Sequence, residues 1–172
     1  MKKAFAVFAA VALLMTAGCK KADSAHGTPP EAPAKFSAAV NAVFGDAEMT
    51  AVLTREGAAD YTLKMLTPEI LEPLTLHYSD GKCEVEYDEL KFETDLARFP
   101  QTEFGSLLTG ALTAACDGID ITTACSDGVW TYTGTGERGV FALTQSAESG
   151  EWLEFSAEGA LLRVTFSDFK VL

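Results

Sequence analysis

Apolar residues recur along the chain with two periods, and the changes between them divide it into segments. Phe36, Val40, Val43 and Phe44 fall at i, i+4, i+7 and i+8 before Gly45, which predicts a short amphipathic helix. From Met49 the period becomes two. Met49, Ala51 and Leu53 alternate with polar neighbours, then Tyr61, Leu63 and Met65, with a turn at Glu56-Gly57 between them. Leu74, Leu76 and Tyr78 alternate next, Ser79-Asp80-Gly81 turns the chain, and Cys83, Val85 and Tyr87 alternate again before a break at Asp88-Glu89 and a last pair, Leu90 and Phe92. Five strands at hairpin spacing predict an antiparallel meander with one buried face.

The helical period returns at residue 100. Phe104, Leu107, Leu108, Ala111, Leu112 and Ala115 form a stripe that ends at Cys116-Asp117-Gly118, which predicts a second amphipathic helix. Strand-like pairs follow: Trp130 with Tyr132, Phe141 with Leu143, Leu153 with Phe155, and Leu162 with Val164 and Phe166. Turns fall at 134–139, at Ser149-Gly150 and at Glu158-Gly159. The expected class is α+β: one strongly curved antiparallel sheet, an unclosed half-barrel, with two amphipathic helices across its concave face. The space between helices and sheet is then apolar, and a filled core and a ligand cavity are both compatible with the pattern.

The N-terminus reads differently. Lys2 and Lys3 precede an apolar run from Ala4 to Met15, then the small residues Thr16, Ala17 and Gly18. This is signal-peptide grammar, and the run is shorter than the roughly 20 residues that span a hydrocarbon core. The segment LMTAGC resembles the lipobox of bacterial lipoproteins, with Thr16 standing where Leu is usual. The resemblance implies cleavage before Cys19, a diacylglycerol on its sulfur, and residence on the extracytoplasmic side of a cell membrane; two acyl chains give a stable anchor. Residues 1–18 are thus expected to be a leader and 19–34, with Pro29, Pro30 and Pro33, a flexible tether. Residues 35–172 make one domain.

Composition narrows the function. With 13 Lys and Arg against 25 Asp and Glu, the formal charge is −12, and it becomes two units more negative once Lys2 and Lys3 leave. Nucleic acid is therefore an unfavourable partner, and so is an anionic headgroup surface. Cys116 and Cys125 are spaced to close a short disulfide loop around DGIDITTA, and Cys83 is left at an inward strand position as a small apolar residue. No metal or cofactor is expected: C-x-x-C is absent, and only His26 and His77 are available. GTGERG at 134–139 satisfies G-x-G-x-x-G, but strand-like residues flank it on both sides, so it reads as a hairpin turn rather than a dinucleotide loop. Asp117, Asp120 and Asp127 lack calcium-loop spacing. No G-x-S-x-G or H-E-x-x-H is present, and no enzyme activity is expected.

The order of elements resembles the LolA/LppX family of lipoprotein carriers and lipid-binding lipoproteins. The likeness rests on LTPEILEPLTLHYSDGKCEVEYDEL, on PQTEFGSLLTGAL and on LLRVTFSDFKVL. It implies an unclosed barrel capped by helices, with an apolar ligand or a protein partner. The lipobox sets this chain beside the anchored relatives rather than the freely shuttling carriers. The cavity-lining candidates are Tyr61, Leu63, Met65, Leu76, Tyr78, Val85 and Tyr87 on the sheet, and Phe104, Leu107, Leu108 and Leu112 on the second helix. The expected function is binding of a lipid or other apolar ligand between helix and sheet. The alternative is a filled-core module for an envelope, cell-wall or sporulation partner protein.

Overall fold

A computed structural model describes residues 27–94, 100–136 and 138–172. Residues 1–26, which hold the expected leader, Cys19 and His26, lie outside the described residues. The chain runs β1 (Phe36–Phe44), β2 (Ala47–Gly57), β3 (Asp60–Thr67), β4 (Leu74–Ser79), β5 (Lys82–Tyr87), β6 (Leu90–Thr94), α1 (Pro100–Asp117), β7 (Ile121–Ser126), β8 (Val129–Gly136), β9 (Gly139–Ser146), β10 (Trp152–Ala157) and β11 (Leu162–Val171). All eleven strands form one antiparallel sheet in the order β6-β5-β4-β3-β2-β1-β11-β10-β9-β8-β7, curved and unclosed. Each half is a plain meander, and the halves meet where β1 pairs with β11.

The first expected helix is a strand. Phe36, Ala38, Val40 and Ala42 alternate inward along β1 and are all buried. The apolar set Phe36, Val40, Val43, Phe44 fits a helix only when the alanines are passed over. Once Ala38 and Ala42 count as small inward residues, the period is two, and β-branched Val40 and Val43 suit a pleated surface. Gly45, read as a helix cap, has φ +61° in the β1–β2 hairpin. Helix caps and tight hairpins both draw on this conformation. Among the described residues one α-helix, not two, therefore covers the sheet.

Two further elements differ from the pattern. β7 occupies the segment expected to be a loop; as an edge strand it buries none of its residues fully, so no apolar alternation marks it. In β10 the register shifts between Trp152 and Glu154, and this bulge places Trp152 and Phe155 on the inner face while Leu153 is only half-buried. The Asp80-Gly81 and Asp127-Gly128 hairpins have positive φ at both residues, as two-residue turns that match strand twist require.

The glycines of 134–139 have separate tasks. Gly136 and Gly139 flank the β8–β9 turn, whereas Gly134 lies within β8 opposite Phe141. A Cβ on Gly134 would sit 2.5 Å from Phe141 Cζ and 2.8 Å from Ile121 Cδ1. Gly134→Ala is expected to cost about 1–3 kcal/mol of stability through this overpacking, measured as a lower urea midpoint at unchanged m-value.

Candidate functional site

The inner residues of β3, β4 and β5 and the stripe of α1 come together, but they meet by interlocking. Tyr61, Leu63, Met65, Leu76, Tyr78, Val85, Phe104, Leu108 and Leu112 are all buried in one apolar cluster. Leu107 and Tyr87 are half-buried at its margin. Tyr87 donates its hydroxyl to the Ile70 carbonyl, 3.1 Å away. Most of the expected lining side chains pack against one another, while Tyr61 and Tyr78 also border one cleft beside the helix and Leu107 borders another.

Two tyrosines, cross-strand partners on β3 and β4, fix the helix in place. The Tyr78 hydroxyl donates to the Thr102 carbonyl at 3.1 Å, in the first turn of α1. The ring reaches that carbonyl by passing beneath Gly105, where a Cβ would lie 2.5 Å from Tyr78 Cζ. Further along the helix, Thr113 Oγ1 donates to the Tyr61 hydroxyl oxygen at 3.1 Å. Burial pushes the Tyr61 hydroxyl up to about 12, and it also raises Tyr78. From the other half of the sheet, Arg138 forms an ion pair with Glu103 at 2.6 Å.

Open space is displaced to the margins of α1. A cleft of about 670 Å³ lies between the C-terminal end of the helix and residues 28–34, over Arg55, Cys116 and Tyr132. Clefts of about 390 Å³ and 280 Å³ run along the two sides of the helix and share Ser106, Gly110 and Ala114. No helix among the described residues is long and apolar enough to cross a membrane.

Arg55 is the residue that sequence reasoning missed. It is 5 % exposed, a cation inside the concave face, and donates from Nε to the Gly57 carbonyl at 3.0 Å, and from its two terminal nitrogens to Pro33 and Ala58 carbonyls at 3.1 Å each. It also lies 5.8 Å from the Tyr61 ring centre. The signal was available: Ala51, Leu53 and Arg55 share one phase of β2, and a charge at an inward position needs partners. Its bond to Pro33 ties the described part of the expected tether to the domain. Residues 27–34 have no regular structure, yet Pro29, Pro30, Ala32 and Pro33 are half-buried.

The cysteines are free thiols at Cys83, Cys116 and Cys125. Burial pushes Cys83 up to about 11 and raises Cys116, which the nearby Arg55 guanidinium partly offsets. Both therefore stay protonated at neutral pH, a poor state for a nucleophile or a metal ligand. Burial likewise lifts Tyr132 to about 12. His77 points outward, its Nδ1 3.1 Å from Thr62 Oγ1. Asp120 and Asp127 sit at positive φ in turns, and no cluster of three or more His, Cys, Asp or Glu side chains arranged to hold a metal ion occurs among the described residues.

No protein-family model matches the sequence, and no curated protein sequence matches it. Solved structures do share the fold. An uncharacterized conserved protein from Thermus thermophilus superposes with a TM-score of 0.52 at 13 % identity, over 83 % of this chain and 80 % of that one. A chain in the structure of the CwlD amidase from Clostridioides difficile in complex with the GerS lipoprotein gives 0.52 at 17 % identity, over 78 % and 85 %. A LolA superfamily protein from Nitrosomonas europaea gives 0.41 at 12 % identity, over 83 % and 87 %. The likeness to the first two is one of fold.

Two substitutions test the docking of α1. Gly105→Ala is expected to lose about 1–3 kcal/mol because the methyl must displace the Tyr78 ring, whereas Tyr78→Phe loses only about 1 kcal/mol for the hydrogen bond; chemical denaturation ranks the two. Arg55→Met removes the bonds to three carbonyls and is expected to raise amide exchange across 28–34 while leaving the exchange of α1 unchanged, read by hydrogen–deuterium mass spectrometry.

Proposed function

We propose that this chain is a non-enzymatic interaction module, exported and held at a membrane by a lipid on Cys19, which presents a rigid curved sheet to a protein partner in the cell envelope. One observation carries the reading: the residues expected to leave a ligand cavity pack against one another. Phe104, Leu108 and Leu112 are each fully buried, and burial of such side chains stabilises by about 1.5–3 kcal/mol apiece. A ligand entering between helix and sheet would have to replace those contacts and break the bonds to Tyr61 and Tyr78. The occurrence of a similar fold in a complex of an amidase with a lipoprotein supports partner binding. The sequence around Cys19 supports the anchor.

The second reading, carriage of an apolar ligand, draws its support from the 670 Å³ cleft, which is within the range of small-molecule sites and has Arg55 at its floor. An acyl chain with an acidic end would suit it.

The full chain purified from membranes in mild detergent separates these readings. Interaction alone is expected to give no displaceable fluorescent fatty-acid binding. Saturable binding that weakens in Arg55→Met would replace the interaction reading with the second. Metabolic palmitate labelling is expected in the wild type and lost in Cys19→Ala, and a wild type that takes no label removes the anchor from the proposal.

A further inference from the structure

The sheet has two outer edges, and they differ in character. β7 exposes Thr122, Thr123 and Ala124, small or polar residues. β6 exposes Leu90 and Phe92, at 66 % and 46 %. These pair with Tyr87 and Val85, so they point to the concave face, beyond the cover of α1. Ile70, 73 % exposed, lies close by, its carbonyl bonded to Tyr87. An edge strand with open backbone groups and exposed apolar side chains is a template for another strand.

The opposite face of β6 carries Lys91 and Glu93, one on each side of Phe92. Lys91 Nζ lies 2.7 Å from Glu84 Oε1, and Lys82 Nζ lies 2.9 Å from Glu93 Oε1. We propose that β6 pairs antiparallel with β6 of a second copy of this chain, about a two-fold axis through Phe92. Phe92 then meets its own mate. Lys91 of each copy faces Glu93 of the other, on the same surface as the existing ion pairs.

Charge selects both this register and this occupant. Centring the pair on Lys91 or on Glu93 would set like charges against themselves, which is unfavourable for residues directly opposite. Centring on Phe92 links the diagonal ion pairs of the two copies into a chain, Glu84, Lys91, Glu93 of the second copy, Lys82 of the second copy, with signs alternating across the seam, although Glu84 and Glu93 lie directly opposite each other within each copy. Isolated surface pairs contribute little, but a continuous row shares the cost of ordering its side chains. The axis keeps the concave faces of both copies on one side, so two sheets continue as one and the contact is isologous.

Sedimentation equilibrium on the full chain in mild detergent tests the proposal. The wild type is expected to show a concentration-dependent monomer–dimer equilibrium. Lys91→Glu and Glu93→Lys should each dimerise roughly tenfold more weakly, since each opposes like charges twice across the axis. Mixed one to one, the two variants should recover wild-type association as a heterodimer, because the carboxylates of one chain then face the ammonium groups of the other at both pairs. Phe92→Asp, at an exposed position, should be monomeric with an unchanged circular-dichroism spectrum. A wild type that stays monomeric throughout, charge variants that dimerise as well as the wild type, or a mixture that fails to associate would each overturn it.

Discussion

The whole arrangement depends on a crossing. β6 and β7 are separated in sequence only by α1 and its connections, yet they form opposite edges of the sheet. The chain must traverse the sheet to get from one to the other. Eleven flat strands would hold their edges about 48 Å apart, while an 18-residue helix is about 27 Å long. Curling the sheet brings the edges toward each other and makes the concave side the short route. The helix is therefore a crossbar fixed by connectivity, and its apolar stripe is what makes that path favourable.

A crossbar that merely rested on the sheet would leave a groove. Here the sequence removes it with one small residue and two large ones. Gly105 lets Tyr78 slide beneath the first turn of α1 to a backbone carbonyl, and Tyr61, its cross-strand neighbour, takes Thr113. Both ends of the helix are thus tied to adjacent strands in one half of the sheet, while Arg138 and Glu103 tie it to the other. Open clefts lie beside the helix and at its end, where Arg55 draws residues 27–34 against the sheet.

The meander was legible where alternation involved large residues and where Asp-Gly marked a turn, as from β3 through β5. α1 was legible because its stripe extends over three turns and more, too long for chance. β1 was not, because the same four residues satisfy two periods when alanines are discounted, and only the neighbouring strands decide between them. β7 was hidden for a different reason: an edge strand need bury nothing. That α1 would lie on the concave face of the sheet follows from the apolar faces of these elements, but the sequence did not show that it packs on β8 and β9 as well as on β4. Whether that meeting was open or closed depended on Gly105, whose role is visible only once Tyr78 lies under it. Arg55 was readable from its phase in β2.

The pairing of β1 with β11 has a consequence for how the molecule forms. Every other strand contact joins neighbours in sequence and can assemble as a hairpin. The β1–β11 seam instead joins the two ends of the domain, down to a bond from the Leu172 amide to the Lys35 carbonyl. Contacts between distant segments carry the entropy cost of closing the loop between them. The two halves can each collapse early, but the sheet becomes a single structure only when the last strand is available. The ten residues of β11 therefore act as the closing latch of the fold, and a chain without them would keep two meanders with no seam to join them.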